Sequence, residues 1–319
     1  MRLRPIAALS AAAVSVLLLA GCAGAGGDGA SPSPSGSAAD LCSSAAPSGA
    51  VSEGVKVSGD FGAEPTVDFT KPVDITDLKV QRTVITEGDG DAIAAGDFVD
   101  YAATIIDGTT GDVLSSAGYT AGQIPPEQIS PQNLGQLFGC ASVGSRITIA
   151  AATGNESTPS VVYVVDVLGI TPTAAWGEPQ TPTDGLPTVE LGQNGEPTIT
   201  VPDGLTIPDT TQVEVLKKGD GPTVQSGDTV LVQYTGVLTD GTVFDSSWQK
   251  GVPVSFQTTQ VVKGFGTALE GQTVGSQVLA VIPAAEGYGD AAQGSIPANS
   301  PLIFVVDILA TSQTTTASQ

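Results

Sequence analysis

Two short segments in the C-terminal third of the sequence contain the residue types that could bind an uncharged ligand in an apolar site. Phe244 and Asp245 place an aromatic ring beside a carboxylate, and Tyr288 lies in a loop flanked by glycines. The 319-residue sequence contains no histidine, which excludes Ser-His and Cys-His nucleophiles and most zinc sites. We find neither a glycine-rich phosphate loop nor a metal-ligand cluster, so the sequence predicts no ATP dependence and no metal or cofactor.

These side chains, and three other aromatic residues of the same C-terminal region, also have an ordinary structural explanation. Phe256 and Phe304 would be core residues in any small α+β domain, and Tyr234 and Tyr288 could be surface aromatics. Asp245, which precedes two serines, could simply cap a turn. The combination favours a functional site, because it places an acid and an aromatic ring at the edge of an apolar cup, with a tyrosine in a nearby loop.

The residues around these segments have the pattern of an antiparallel sheet with one short helix. Residues 229–238 are rich in β-branched and aromatic side chains, and Asp240-Gly241 is a hairpin signal. Only 264–271 has a helical pattern. The other predicted strands are 242–244, 252–256, 277–282 and 302–309. The sequence therefore predicts an α+β domain with one covered concave face.

A second copy of this pattern lies upstream. The Gly-Asp-Gly segment at 88–90 recurs 131 positions later, as does the Val-Gly-Ser segment at 143–145. The strand pattern of 161–168 recurs 141 positions later, so the first copy is ten residues shorter before its last strand. A constant offset over such a distance indicates two copies of one domain. The proline-rich segment 171–187, which contains Trp176, has the composition of a linker that could also pack against one copy.

The N-terminus has the layout of a secretory signal. Two arginines in the first four residues precede an uncharged apolar run over 6–20. This run is shorter than a transmembrane helix needs, so a permanent span is the weaker alternative. The segment 19–22 resembles the bacterial lipobox, which predicts Cys22 as the acylated first residue of the mature protein. An ordinary signal with a chance cysteine is the other explanation.

Charge and cysteine content limit the partners. The formal net charge is −22, from 33 acidic and 11 basic residues, which argues against nucleic acid as a partner. With Cys22 lipidated, Cys42 and Cys140 remain. In an oxidising exported compartment such a pair is more often a disulfide than a metal or redox site, although nothing in the sequence shows that the two thiols are close.

Three separated segments of the second copy carry a family resemblance. They are YTGVLTDGTVFDSS from Tyr234, VVKGFGTALEGQTVGS from Val261, and AAEGYG from Ala284, which is followed by Ile296-Pro297 and LIFVVDIL. In their order and spacing they resemble the FKBP family of peptidyl-prolyl cis/trans isomerases, closely over 213–310 and only in outline over 80–170. The resemblance implies two tandem FKBP-like domains, each an antiparallel β-sheet curved around one short helix.

On this interpretation the chain divides into six segments. They are a signal peptide (1–21), a lipidated cysteine with a flexible linker (22–45), a degenerate FKBP-like domain (46–170), a linker with a leader segment (171–200), an FKBP-type isomerase domain (201–311) and a tail (312–319).

The resemblance also implies site residues, all in the second copy. Phe265 is expected to form the floor of a proline pocket, although the family most often has tryptophan there, so affinity for proline or a macrolide is expected to be weaker. The Tyr288 hydroxyl and the Val262 backbone N–H are expected to hold substrate carbonyls, and Asp245 to face the twisted carbonyl or order the tyrosine hydroxyls. The implied catalytic set is Tyr234, Phe244, Asp245, Val261, Val262, Phe265, Tyr288, Ile296 and Phe304, and the implied substrate-binding pair is Val254 and Phe256.

The function that the resemblance implies is that of a foldase. It would isomerise X-Pro bonds in proline-containing exported polypeptides at the outer face of the cytoplasmic membrane, without covalent catalysis. The expected link to the membrane is the lipid anchor, and macrolides of the FKBP-binding class are further expected ligands. The alternative is a non-catalytic FKBP-like envelope lipoprotein that binds peptides or another protein.

The first copy lacks most of the implied site. At the 131 offset, Val113 and Leu114 stand at the positions of the aromatic residue and the acid, and Leu134 stands at the position of the floor residue. The ten missing residues remove the loop that carries the second tyrosine. Tyr101 is expected to take the place of the wall tyrosine only if two residues shift across the hairpin. The first copy is therefore predicted to be non-catalytic.

Overall fold

Two antiparallel sheets, with short helices and hairpins around them, account for most of the fold. The computed structural model describes residues 38–75, 80–152 and 160–313, so the predicted signal peptide and Cys22 lie outside the described residues. Strands dominate and helices are short, which agrees with the predicted α+β class. Within the described ranges, no helix is long and apolar enough to cross a membrane.

Two short helices and a hairpin precede the first sheet. They are α1 (Ala38–Ser44), α2 (Ala50–Glu53) and the antiparallel strands β1 (Lys56–Ser58) and β2 (Thr66–Asp68). Leu41 of α1 is fully buried, and Cys42 forms a disulfide with Cys140, 98 residues away. The prediction of a flexible linker as far as residue 45 is therefore wrong for its last residues, because Leu41 belongs to the core of the first sheet.

Six strands form the first sheet, and one helical turn lies between two of them in the chain. They are β3 (Val80–Thr86), β4 (Phe98–Asp107), β5 (Val113–Ala117), β6 (Glu127–Gln128), α3 (Gly135–Phe138), β7 (Arg146–Ala151) and β8 (Val161–Thr171). The strand order is β3-β7-β8-β4-β5, with β6 also paired to β4. The strands are rich in valine and isoleucine, and side chains such as Ile147 and Ile149 are fully buried.

The second sheet is built mostly from the C-terminal third of the chain. The elements of this region are β9 (Glu178–Pro179), β10 (Thr188–Leu191), β11 (Pro197–Thr200), β12 (Gln212–Lys218), β13 (Thr229–Val237), β14 (Val243–Ser246), α4 (Ser247–Lys250), β15 (Val254–Gln257), α5 (Lys263–Leu269), β16 (Gln277–Ile282) and β17 (Leu302–Ser312). The strand order of the second sheet is β14-β13-β17-β16-β12-β9, with β15 also paired to β13. The β10–β11 hairpin lies between β9 and β12 in the chain and is a separate two-stranded sheet.

The segment 171–200, predicted as linker and leader, packs against the second sheet, as its composition allowed. It contributes β9 to that sheet and forms the β10–β11 hairpin. A second helix, α4, accompanies the predicted one. Ser246 caps its start by accepting a hydrogen bond from the Gln249 N–H, and Gly251 ends it with a φ of 77°.

The two sheets share individual hydrogen bonds as well as strand order. In the first sheet the Gly88 N–H donates to Ser145 Oγ at 3.0 Å, and in the second the Gly219 N–H donates to Ser276 Oγ at 2.9 Å. Both donors and both acceptors are 131 positions apart. The repeated motifs therefore lie at matching places in the two sheets.

The offset between the sheets changes by one residue at the hairpin after β4. Thr104 pairs with Ser116 across β4 and β5, and Thr235 pairs with Ser246 across β13 and β14. The paired hydroxyls are hydrogen bonded in both cases, at 3.1 and 3.0 Å. The first sheet has one more residue in this hairpin, so the offset at β5 is 130 and not 131.

The two sheets also contact each other. Phe98 of the first sheet packs with Leu231 and Leu309 of the second, and all three are buried. At the end of β17, the Gln313 N–H donates to the Gly122 carbonyl at 2.8 Å. An apolar cluster and a backbone hydrogen bond therefore join them.

Candidate functional site

A cavity of about 500 Å³ lies between α5 and the strands of the second sheet. Such a volume is typical of pockets that bind small ligands. Aromatic rings form most of its walls, and one carboxylate lies among them. The lining residues are Tyr234, Phe244, Asp245, Phe256, Gln260, Val261, Val262, Phe265, Tyr288, Gln293, Gly294, Ser295, Ile296 and Phe304.

Phe265 lies at the centre of the aromatic wall. Its ring centroid is 4.9 Å from that of Phe304, 5.6 Å from that of Phe256 and 6.0 Å from that of Tyr234, all with edge-on geometry. Phe244 meets Phe304 at 5.3 Å. Edge-to-face contacts at these distances are favourable, so the rings fix one another's orientation around the cavity.

Gly236 in β13 makes room for two of these rings. A Cβ atom at this position would lie 2.6 Å from Phe244 Cζ and 2.7 Å from Phe304 Cε1, closer than carbon atoms pack. Glycine is needed here because aromatic rings approach the strand backbone closely. Any side chain at residue 236 would push both rings out of the wall.

Asp245 is held by two donors at the edge of the cavity. The Tyr234 hydroxyl donates to Asp245 Oδ2 at 2.5 Å, and Lys250 Nζ lies 2.6 Å from Oδ1. Burial raises the pKa of Asp245, but hydrogen bonds from Lys250 and Tyr234 together outweigh it and leave the pKa below its usual value. The carboxylate is therefore ionised at neutral pH.

Local structure places both donors. The Tyr234 N–H donates to Ser247 Oγ at 2.8 Å, which ties β13 to the start of α4. Lys250 lies in the last turn of α4 and returns its ammonium group to Asp245. Burial raises the pKa of Tyr234, and the hydrogen bond to Asp245 raises it further, so the hydroxyl keeps its proton. Sequence reasoning missed Lys250.

The loop that carries Tyr288 is tied down by one carboxylate. Glu286 accepts hydrogen bonds from Lys263 Nζ at 2.7 Å, from the Thr211 N–H at 2.8 Å and from Thr211 Oγ1 at 2.7 Å. These bonds, the one from Lys263 first, lower the pKa of Glu286 to about 2. Tyr288 follows two residues later and is 40% exposed, so it lines the cavity and also reaches solvent.

The start of α5 brings a backbone donor to the same cavity. The Val262 carbonyl accepts hydrogen bonds from the N–H groups of Phe265 and Gly266, at 2.9 and 3.1 Å, which begins the helix. Among the described residues, none accepts a hydrogen bond from the Val262 N–H. This N–H is therefore available to a ligand carbonyl in the cavity.

The structure gathers the residues predicted for the second copy around this cavity, with one exception. Val254 lies in β15 opposite Val232 and does not line the cavity, because valine reaches less far than the ring of Phe256 on the same face of the strand. The lining also contains residues outside the predicted set of site residues, and Gln260 carries no sequence signal that could have identified it. These lining residues are Gln260, Gln293, Gly294 and Ser295.

The strand register shows which residues of the first copy stand at the positions of the aromatic residue and the acid. Leu114 and Ser115 occupy the positions of Phe244 and Asp245, because of the extra residue in the hairpin. The prediction that Val113 and Leu114 stand there is wrong by one residue.

The register also decides which residue stands at the position of Tyr234. It is Ala103, not Tyr101, because the pairing of β4 with β8 matches that of β13 with β17 without a shift. At the position of Phe256 the first sheet has Glu127. The first sheet therefore lacks both of these aromatic walls.

Comparison with known proteins identifies the family of the second sheet. Residues 221–309 match the family model described as FKBP-type peptidyl-prolyl cis-trans isomerase. FK506-binding protein 1 of Debaryomyces hansenii is 44% identical over 111 residues, which cover 33% of this chain and 97% of that protein. The chain belongs to the FKBP family. The first sheet of this FKBP lies outside the residues that the family model matches.

Bacterial FKBPs match over a smaller share of their own length. The FKBP-type peptidyl-prolyl cis-trans isomerase FkpA of Aeromonas hydrophila is 43% identical over 99 residues, which cover 31% of this chain and 37% of FkpA. The crystal structure of FkpA from Escherichia coli aligns with 30% identity and a TM-score of 0.32, covering 41% of this chain and 53% of that chain. The present FKBP thus spans between about a third and about half of these relatives.

Proposed function

We propose that this FKBP accelerates cis-trans isomerisation of X-Pro bonds in polypeptides. The observation that carries the proposal is the aromatic cavity around Phe265, which has the ionised Asp245 and the Tyr234 hydroxyl at its edge. Membership of the FKBP family supports the same activity.

The apolar walls suit the chemistry of this reaction. Rotation about a peptide bond faces a barrier of about 18–20 kcal/mol, whereas the two X-Pro isomers differ by only about 0.5–1 kcal/mol. The twisted transition state loses amide resonance, and with it part of the charge separation between nitrogen and oxygen. A dry cavity therefore favours the twisted state over the planar ground state, and no nucleophile is needed.

The polar groups at the cavity have complementary roles in this proposal. The Tyr288 hydroxyl and the Val262 N–H donate hydrogen bonds to substrate carbonyls on either side of the proline ring, which packs on Phe265. Asp245 keeps the Tyr234 hydroxyl in one orientation and faces the rotating carbonyl. Lys250 holds the Asp245 carboxylate in place.

The test is an isomerisation assay on short X-Pro peptides with the full chain. Asp245→Ala is expected to lower kcat/KM by about tenfold, and Phe265→Ala by more, because it removes the centre of the wall. Glu190→Ala, an exposed change in the β10–β11 hairpin, is the control. A folded protein with no rate above the uncatalysed reaction would refute the activity and favour a peptide-binding FKBP.

A related but non-catalytic domain is our proposal for the first sheet. We propose that 46–170 and 201–311 are tandem FKBP-like domains, of which the first has lost its site. The matching strand order and the shared Gly–Ser hydrogen bond support this proposal.

We also propose that the protein is exported and anchored by lipid on Cys22 to the outer face of the cytoplasmic membrane, where proline-containing exported polypeptides are its substrates. The segment 19–22 and the apolar run before it support this. Labelled fatty acid should be incorporated by the wild-type protein and not by Cys22→Ala. FK506-type macrolides, which a relative binds by name, are proposed inhibitors.

A further inference from the structure

A second cavity, of about 400 Å³, lies at the junction of the two sheets. Tyr101 and Leu168 of the first sheet form one side, and Leu309 of the second sheet forms another. Its size falls within the range of functional pockets. It shares no lining residue with the cavity around Phe265.

Trp176 stands at this cavity with its backbone fixed on both sides. The Ala175 N–H donates to Asp307 Oδ2 at 2.8 Å, the Ala175 carbonyl accepts from Lys217 Nζ at 2.9 Å, and the Gly177 N–H donates to the Gly275 carbonyl at 2.9 Å. The indole nevertheless remains 44% exposed. A Cβ atom at Gly275 would lie 2.8 Å from Trp176 Cε2, so the indole packs against this glycine. A packed aromatic side chain loses little conformational entropy when a partner covers it.

The junction itself is rigid enough to hold a preformed site. The buried cluster of Phe98, Leu231 and Leu309 joins the sheets beside the cavity. The hydrogen bond from Gln313 to Gly122 closes one rim. A ligand would therefore meet fixed walls and not a hinge.

The polar groups of this cavity are suited to a peptide backbone. Among the described residues, neither the Tyr101 hydroxyl nor the Trp176 indole N–H has a hydrogen-bond partner, so both donors can serve carbonyl groups. Asp100 Oδ2 accepts from Thr171 at 3.0 Å, which leaves Oδ1 to accept from an N–H group. Burial raises the pKa of Asp100 and that of Tyr101.

The walls favour an extended chain that contains proline. Tyr119 and Trp176 offer aromatic faces, and the proline rings of Pro126, Pro172 and Pro222 lie among them. Polyproline II segments make no internal hydrogen bonds and dock into aromatic-lined sites, where their carbonyls accept from side-chain donors. The net charge of −22 disfavours a phosphate or another anion as the ligand.

We propose that the cavity at the sheet junction binds an extended, proline-containing stretch of the same unfolded polypeptide whose X-Pro bond enters the cavity around Phe265. This inference rests on the proposed function. Two linked contacts raise the effective concentration of substrate at the catalytic cavity. The first sheet thereby contributes to substrate capture without a catalytic pocket of its own.

The proposal is tested with the full chain and a labelled, carboxymethylated polypeptide that contains proline and cannot fold. Trp176→Ala removes the exposed indole, and Ala121→Trp fills the cavity from an exposed loop position. Both are expected to raise the Kd for this polypeptide by at least about fivefold, while kcat/KM for a short X-Pro peptide stays within about twofold. Ala121→Ser leaves the cavity open, and Leu191→Ala removes an exposed side chain of β10 that lies outside it; both should bind like the wild type.

Competition identifies the ligand class. A proline-rich decapeptide should displace the polypeptide from the wild-type protein, and a glycine-serine decapeptide should not. Unchanged Kd values in Trp176→Ala and Ala121→Trp, or equal competition by both peptides, would overturn the proposal. Absence of turnover of the short peptide by the wild-type protein would instead refute the isomerase activity, because binding of the polypeptide is measured independently.

Discussion

The first and second sheets differ most at the positions that line the cavity of the second. There the first sheet has leucine, serine and leucine in place of Phe244, Asp245 and Phe265. Yet the strand order and the Gly–Ser hydrogen bond are the same in both. The first sheet is held by strand pairing and by its buried valines and isoleucines, so it forms without the cavity residues of the second.

A second difference concerns the partner of one buried aspartate. In the first sheet Arg146 Nε donates to Asp166 Oδ1 at 2.6 Å, and in the second Gln277 Nε2 donates to Asp307 Oδ1 at 2.7 Å. Each aspartate also accepts from a backbone N–H of the segment packed against its sheet, at 2.7 and 2.8 Å. The same position therefore anchors that segment in both sheets, with an ion pair in one and a neutral donor in the other.

Transferring the residues of the first sheet into the second should abolish activity. The triple variant Phe244→Leu, Asp245→Ser and Phe265→Leu is expected to isomerise X-Pro peptides at the uncatalysed rate, because it removes two walls and the acid together. The reciprocal control, Leu114→Phe with Ser115→Asp, should leave wild-type activity intact. Substantial activity in the triple variant, with native near-UV circular dichroism, would contradict the assignment of the site.

The two buried aspartates should respond unequally to removal. Asp166→Ala leaves the buried Arg146 guanidinium without its ion-pair partner, and is expected to lower the free energy of unfolding by about 3–5 kcal/mol. Asp307→Ala leaves a neutral amide, and about 1–3 kcal/mol is expected. Urea denaturation followed by far-UV circular dichroism measures both. Equal losses would show that the ion pair is not what distinguishes the sheets.

The disulfide should stabilise the first sheet without affecting the cavity of the second. Replacing Cys42 and Cys140 by serine opens a loop of 98 residues, and a loss of about 2–4 kcal/mol is expected. Turnover of short X-Pro peptides should not change. A parallel loss of turnover would mean that the first sheet supports the catalytic cavity directly.

The smallest expected effect concerns the loop of Tyr288 and has a defined pH dependence. The pKa of Glu286 falls from 4.5 to about 2 on folding, so its contribution to stability is complete above pH 4.5 and declines as the pH falls towards 2. The difference in Tm between wild type and Glu286→Gln should therefore be a few degrees at neutral pH and shrink over that window. A difference that does not change with pH would exclude the carboxylate as the cause.

Short motifs made much of this molecule predictable. The Asp240-Gly241 turn and the alternation of the strands indicated the second sheet, and the constant offset of Gly-Asp-Gly revealed its counterpart. These signals succeed because a turn or a strand depends on residues close in sequence. They failed at β5, where one extra residue in a hairpin moved the paired positions of that strand by one.

The contacts that sequence reasoning missed join elements through single side chains. Lys250 reaches Asp245 from a helix of one turn, and Glu286 joins Lys263 and Thr211 from distant segments. Exposed lysines and glutamates are common on any surface, so residue type alone does not identify such pairs. Helix α1 was missed because alanine and serine around Leu41 resemble a flexible linker in composition.

The disulfide also determines how tension would pass through the protein. A pull on the chain upstream of Cys42 reaches Cys140 through a covalent bond, so the 97 residues between the two cysteines carry none of it. A protein tethered at its N-terminus and holding a moving polypeptide at its far end would therefore transmit tension around the elements from α2 to α3 and not through them. The mechanical weak point would lie downstream of Cys140, where non-covalent strand pairing alone resists the load.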